Sequence, residues 1–175
     1  MSTEDLLRAR RGEAPGAPDG VVRPASHDEV LDVLRIATEH RVAVVPYGGG
    51  TSVVGGLRAA RGEFTGVLAL DLARLDRLLA IDPVSRTATF QAGVRGPRAE
   101  ELLAEHGVTL GHVPQSFRHA TIGGFAATRS SGQASAGYGR FDQMVVALRA
   151  ATPVGTLEAG RAPQSAAGPD LRQVL

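Results

Sequence analysis

Apolar positions recur at helical spacing through Val30, Val33, Leu34 and Ala37, with Leu31 and Ile36 widening the stripe. Immediately before them, Ser26-His27-Asp28-Glu29 has the spacing of a capping box: a serine hydroxyl for the third helical N–H and a glutamate that reaches back. The two patterns together predict a helix from about 27 to 40. The period shortens on either side of it. Val21-Val22 is a strand candidate ended by Arg23-Pro24, and Arg41 to Val45 reads as a buried strand. The result is a β-α-β unit that delivers the chain into Gly48, which is how an α/β arrangement presents a ligand site at the carboxyl end of a strand.

Further along, Gly66 to Leu72 is another apolar run, followed by a turn through Ala73 and Arg74. Leu78 to Ile81 and the alternating Thr87 to Gln91 flank Asp82-Pro83-Val84-Ser85, a hairpin pattern. Pro97 to Glu105 places Ala99, Leu102, Leu103 and His106 on one helical face, and Gly107 stops it. Gly123-Gly124 stands where another helix could begin, and Tyr138-Gly139 and Asp142 read as a glycine-rich loop. Val145 to Ala151 and Thr156 to Glu158 are the last strand candidates, joined at Pro153-Val154-Gly155. Residues 12 to 20 are rich in proline and glycine, so residues 1–18 are assigned to an N-terminal helix and linker and residues 19–175 to the ordered domain.

Composition narrows what this framework can do. With 43% hydrophobic and 21% charged residues and a net charge of +1, the 175-residue chain shows no electrostatic footprint for nucleic acid or an anionic membrane. Aromatic residues are only 4%, which argues against base-stacking platforms. No run approaches the length of a membrane span or a signal peptide, so a cytoplasmic location is the expectation. Cysteine is absent, which removes disulfides, thiolate metal sites, thiol nucleophiles and cysteinyl attachment of a cofactor. All nineteen Lys-plus-Arg positions are arginine, which removes the lysine-bearing phosphate loop and any lysine Schiff base.

The stretch with the clearest chemistry is Val42 to Leu57. A β-branched run enters Pro46-Tyr47-Gly48-Gly49-Gly50-Thr51-Ser52, then Val53-Val54 and a second glycine pair. Residues without side chains let the backbone take unusual dihedrals and come close to a ligand, and successive N–H groups in such a turn converge on an anion. A phosphate or pyrophosphate is the natural guest. The second informative stretch, Gly111 to Gly132, alternates hydroxyls with small residues, and its amides and hydroxyls suit another part of the same ligand.

Four segments in order carry a resemblance: residues 21–57, 70–93, 111–132 and 138–158. The chain from residue 19 onward resembles the FAD-binding domain of the vanillyl-alcohol-oxidase or PCMH-type flavoproteins. "GHVPQS", "TIGG", "TRSSG" and "GPDLRQVL" look most like the alkylglycerone-phosphate synthase branch, with the glycolate or D-lactate dehydrogenase-like branch the nearest competitor. The resemblance implies an α+β fold of two subdomains, a small one with parallel strands and a larger, mostly antiparallel one, with FAD between them. It places Pro46, Tyr47, Gly48, Gly49, Gly50, Thr51 and Ser52 around the pyrophosphate. It runs the segment from Gln115 and Ser116 to Thr121 along the flavin, makes Thr128, Arg129, Ser130 and Ser131 another FAD-contacting segment, and counts Pro114, Gly123 and Gly124 among the cofactor-binding residues. Asp142 and Val145 fall near the adenine side, and His112 is the catalytic candidate.

Some members of that family attach FAD through a histidine in the glycine loop. None is present here, so FAD is expected to be non-covalent, and no metal is expected. Gln115 stands where the synthase branch usually has aspartate; an amide still donates and accepts. The resemblance also implies that the chain stops before a cap domain that binds a small-molecule substrate. Three readings follow: the FAD-binding half of a flavoenzyme, synthase-like or 2-hydroxy-acid dehydrogenase-like; a catalytically inert FAD-binding module; or a domain completed by a homo-oligomer or a separate cap chain.

Overall fold

The computed structural model describes residues 16–160, together with Leu7 and residues 10–12. The fragment at 168–175 and most of the N-terminal segment lie outside the described residues. Three parallel strands come first: β1 (Gly20–Val22), β2 (Val42–Tyr47) and β3 (Gly66–Asp71), with β3 in the middle. Its neighbours pair from Gly20↔Leu68 to Val22↔Leu70 on one side and from Val42↔Gly66 to Tyr47↔Asp71 on the other. Val67 and Leu70 are both buried although they point to opposite faces, so β3 is covered on both sides, as a parallel sheet requires. Strand β2 is half-buried, not buried as its sequence suggests, because it is an edge. An edge is also where Pro46, with no N–H to give, is tolerated.

Asp19 starts the ladder: one carboxylate oxygen accepts the Val67 N–H at 2.7 Å and the other accepts from Arg61 at 2.6 Å. The Val67 N–H, with the Arg61 charge behind it, holds the Asp19 carboxyl below its usual range.

Helix α1 (His27–Glu39) begins as its sequence demands. The Ser26 hydroxyl accepts the Glu29 N–H at 3.1 Å, while Glu29 reaches one residue further back than a capping box prescribes, to the Ala25 N–H at 2.7 Å. Replacing Ser26 by alanine is expected to cost about 1 kcal/mol, read as a lowered melting temperature. The apolar stripe packs Val30 with Leu70 and Leu75, and Val33, Leu34, Val44, Leu72 and Ala151 close around them. Arg41, at φ +53°, turns the chain from α1 into β2.

Two antiparallel hairpins follow. β4 (Leu78–Asp82) pairs with β5 (Thr87–Phe90) across the Asp-Pro turn, where Asp82 accepts from the N–H groups of Val84 and Ser85. β6 (Leu148–Thr152) pairs with β7 (Gly155–Ala159). The second hairpin starts three residues later than its apolar run suggests and lies against α1: Ala151 joins the first core and His27 Nε2 meets the Thr156 hydroxyl at 2.8 Å. Helix α2 (Gly96–Ala104) buries Ala99 and Leu103 and half-buries Leu102, but His106 lies beyond its end and is exposed. The architecture is α+β, with a parallel sheet as expected. Among the described residues the antiparallel part is two separate two-stranded ribbons, not one larger sheet.

Three short helices follow in this region, and two of them build a second core. α3 (Ile122–Ala127) starts at the glycine pair, as its sequence suggests, and α4 (Ser135–Tyr138) and α5 (Phe141–Met144) replace the glycine-rich loop expected there. Ala120, Phe125 and Phe141 form the centre, with Leu110, Phe117, Ile122, Ala126, Met144 and Val145 around it.

Candidate functional site

The loop after β2 leaves the carboxyl end of the parallel sheet and packs against residues 119–121. A Cβ on Gly48 would lie 2.6 Å from the Thr121 hydroxyl, and one on Gly49 would overlap the His119 carbonyl and sit 2.7 Å from Ala120 Cα. Gly50 takes φ +69° beneath the Tyr47 hydroxyl. The first requirement for these glycines is therefore contact between two chain segments, not room for a ligand. Their second effect concerns the main chain. Among the described residues, the N–H groups of Gly49, Gly50, Thr51 and Ser52 donate to no intrachain partner. Gly49, Gly50 and Ser52 are half-buried and Thr51 is exposed, so these donors are open to water or to a ligand that replaces it.

Two further segments face this loop. Pro114, Gln115 and Ser116 form a turn whose Ser116 carbonyl accepts from the N–H groups of His119 and Ala120 at 2.9 Å each. Ser130 and Ser131 follow α3, and Gly132 lets them close in, since a Cβ there would sit 2.7 Å from the Val113 carbonyl oxygen. Thr51, Val53, Pro114, Gln115, Ser116, Ser130 and Ser131 line one cleft of about 380 Å³. Six of these seven residues are legible in the sequence. Val53, 95% exposed, is not; its signal is an apolar pair set inside a polar glycine loop with no periodic partner.

Several sequence-selected residues support the cleft without lining it. The Thr121 hydroxyl caps α3 by accepting the Gly124 N–H at 3.2 Å, and the side chain is buried. Gly123 donates to the Ala92 carbonyl, Thr128 donates to the Gly124 carbonyl, and Arg129 holds φ +48° where the chain leaves α3. Pro46 and Tyr47 end β2. Val145 packs in the second core. Asp142 accepts from Arg140 at 2.9 Å through one oxygen, while its other oxygen is buried without a hydrogen-bond partner.

His112 is 2% exposed and lies behind the cleft wall. Its ring packs edge-on against Phe125 and tilted against Phe141, with both centroids at 5.0 Å, and Nε2 is 3.1 Å from the Ser130 hydroxyl oxygen. Burial pushes its pKa below the ordinary 6.5. The native imidazole therefore stays neutral at pH values where the unfolded chain takes up a proton. Stability from this group is complete above about pH 6.5 and is lost as the pH falls below it. Asp19 and Asp82, both held below the ordinary 3.8, add losses only as the pH falls under that value. Melting temperature is expected to decline in two stages, and His112→Leu to remove the first.

The cleft is lined by four hydroxyls (Thr51, Ser116, Ser130, Ser131) and an amide, with no carboxylate among its lining residues, and Thr51 joins it to the run of open N–H groups at residues 49–52. That donor set fits a diphosphate. Comparison with known proteins points the same way. Residues 18–160 match the FAD binding domain family. The chain is 43% identical over 155 residues to an alkyldihydroxyacetonephosphate synthase of Trypanosoma brucei brucei, covering 88% of this chain and 25% of that protein. It is 34% identical over 165 residues to the mitochondrial cytochrome D-lactate dehydrogenase of Arabidopsis thaliana, covering 93% and 28%. A solved structure of an alkyldihydroxyacetonephosphate synthase superposes with a TM-score of 0.88 at 38% identity, covering 99% of this chain and 32% of that one. The chain thus spans about a quarter to a third of the length of these relatives.

Proposed function

The chain belongs to the FAD binding domain family, and from that premise we propose that it holds FAD non-covalently, with the pyrophosphate seated on the N–H groups of Gly49, Gly50, Thr51 and Ser52. The observation that carries this reading is that run of backbone donors without partners among the described residues, at the carboxyl end of a parallel sheet. A hydrogen bond to a charged acceptor contributes about 1.5–3 kcal/mol, so a few of them suffice to anchor a dinucleotide. The hydroxyls of Thr51, Ser116 and Ser131 and the amide of Gln115 line the cleft that Thr51 shares with this loop, and orient what lies in it. Val53 offers an apolar contact at the rim.

Non-covalent attachment is supported by the absence of cysteine from the sequence and of histidine from residues 46–57. When bound, the flavin supplies the chemistry of the reaction, and the chain supplies binding, orientation and a polar floor. We place the whole protein nearer the synthase type, on 43% identity against 34% for the dehydrogenase. Residues 19–160 would form the cofactor-binding unit, and the remainder of the site is assigned to segments that the relatives carry beyond the matched region.

The test is retention of flavin. Purified chain mixed with FAD and passed through a gel-filtration column is expected to carry one flavin per chain, and acid precipitation to release all of it into the supernatant. A colourless protein fraction overturns FAD binding; a chromophore that stays with the precipitate overturns the non-covalent attachment.

A further inference from the structure

Ser130 is the residue of the cleft wall most tightly fixed by its surroundings. Its N–H donates to the Phe125 carbonyl and its carbonyl accepts the Phe141 N–H, both at 2.9 Å. The same two residues supply the rings that clasp His112, and His112 Nε2 completes the set at 3.1 Å from the Ser130 oxygen. The imidazole is therefore held by packing on two sides and has one polar contact that reaches the cleft, through Ser130. A hydroxyl shares a single proton between two neighbours. If Nε2 accepted that proton, Ser130 would present only lone pairs to the cleft, which repel an anion. If Nε2–H donates, the hydroxyl proton is free to point at the ligand.

We propose that His112 is a positioning residue: its Nε2–H donates to Ser130 Oγ, and so commits the Ser130 hydroxyl as a donor to an anionic oxygen of the ligand in the cleft. The inference rests on the reading of the cleft as the FAD site, and it assigns the acceptor chemistry that Ser130 selects. His112 itself touches no ligand. Its side chain acts through one hydroxyl, and the two phenylalanine rings keep it in register with that hydroxyl.

Two measurements test this, both on the whole chain. Nitrogen-15 spectra of histidine-labelled protein report the tautomer directly; protonated Nε2 with bare Nδ1 is expected for His112, and the reverse tautomer overturns the proposal even if no variant folds. Titration of FAD against flavin fluorescence then forms a double-mutant cycle. His112→Leu and Ser130→Ala are each expected to weaken binding about tenfold, the loss of one hydrogen bond to a charged partner. The double variant is expected to be no weaker than either single one, and His112→Gln, whose amide can still donate, to recover part of the affinity. Multiplying losses in the double variant, or His112→Leu binding as wild type does, overturns the proposal. Failure of the unaltered chain to bind FAD would instead overturn the reading of the cleft.

Discussion

Replacing Gly49 by alanine is expected to weaken FAD binding by about a hundredfold or more, in a protein that still folds. The added Cβ overlaps the His119 carbonyl and lies 2.7 Å from Ala120 Cα; both are backbone atoms with no rotamer to change. The loop must therefore lift away from residues 119–121. Overpacking of this kind costs about 1–3 kcal/mol where it cannot relax, but a loop at the sheet's edge can relax, so stability falls modestly. Affinity does not escape, because the displaced loop carries the N–H groups of Gly49, Gly50, Thr51 and Ser52 away from the positions in which the proposed site uses them. Losing two such bonds to a diphosphate amounts to roughly 3 kcal/mol, a factor of about a hundred. Gly56→Ala is the control, since a Cβ there meets nothing within 4 Å and affinity should not change. Equal affinity of wild type and Gly49→Ala in a fluorescence titration would contradict this account of the loop.

Phe125→Ala is expected to be the most destabilising single substitution of those considered. Phe125 is 1% exposed, and its ring stands 5.4 Å from that of Phe141 and 5.0 Å from His112. Truncating a buried phenylalanine removes its transfer free energy and leaves a cavity, together about 3–5 kcal/mol. That is a large share of the 5–15 kcal/mol typical of a domain. The second core is small, with three buried residues at its centre, and has little means of collapsing around the void. Denaturant unfolding measures the loss; Phe125→Leu, which keeps most of the volume, should recover more than half of it. A loss under about 1 kcal/mol for the alanine variant would mean that the three-ring cluster does not hold the cleft wall in place.

Much of this architecture is written in local pattern. Ser26 and the stripe from Val30 to Ala37 specify α1 because capping and a 3.6-residue period are both local. The Asp82-Pro83 turn specifies its hairpin for the same reason. The short helices at Ser135–Tyr138 and Phe141–Met144 are not legible, since four residues are too few to show a period; the second is held by the packing of Phe141 and Met144 in the core around Phe125. The strand β6 begins at Leu148 and not at Val145, because Val145 is drawn into the second core instead.

The cleft was partly legible, and for a specific reason. Glycines are required equally by a left-handed turn, by a ligand and by a neighbouring stretch of backbone, and the sequence does not distinguish these demands. Gly48 and Gly49 answer to Thr121 and His119, which are some seventy residues away in the chain. In the same way a histidine in "GHVPQS" reads as chemistry, whereas the structure encloses it between Phe125 and Phe141, partners contributed by two later helices. Thr121 reads as a ligand contact, and the structure shows its hydroxyl capping α3, which orients the wall on which Ser130 and Ser131 stand.

The central claim is that the backbone donors of residues 49–52 recognise a diphosphate, and the most direct test compares ligands that differ in that group. Isothermal titration of the unaltered chain with FAD, ADP and riboflavin separates the parts of the dinucleotide. The account predicts that FAD binds tightest, that ADP binds measurably and displaces it, and that riboflavin, which has no phosphate, binds at least about a hundredfold more weakly than FAD. Riboflavin binding as tightly as FAD, with ADP unable to compete, would contradict it.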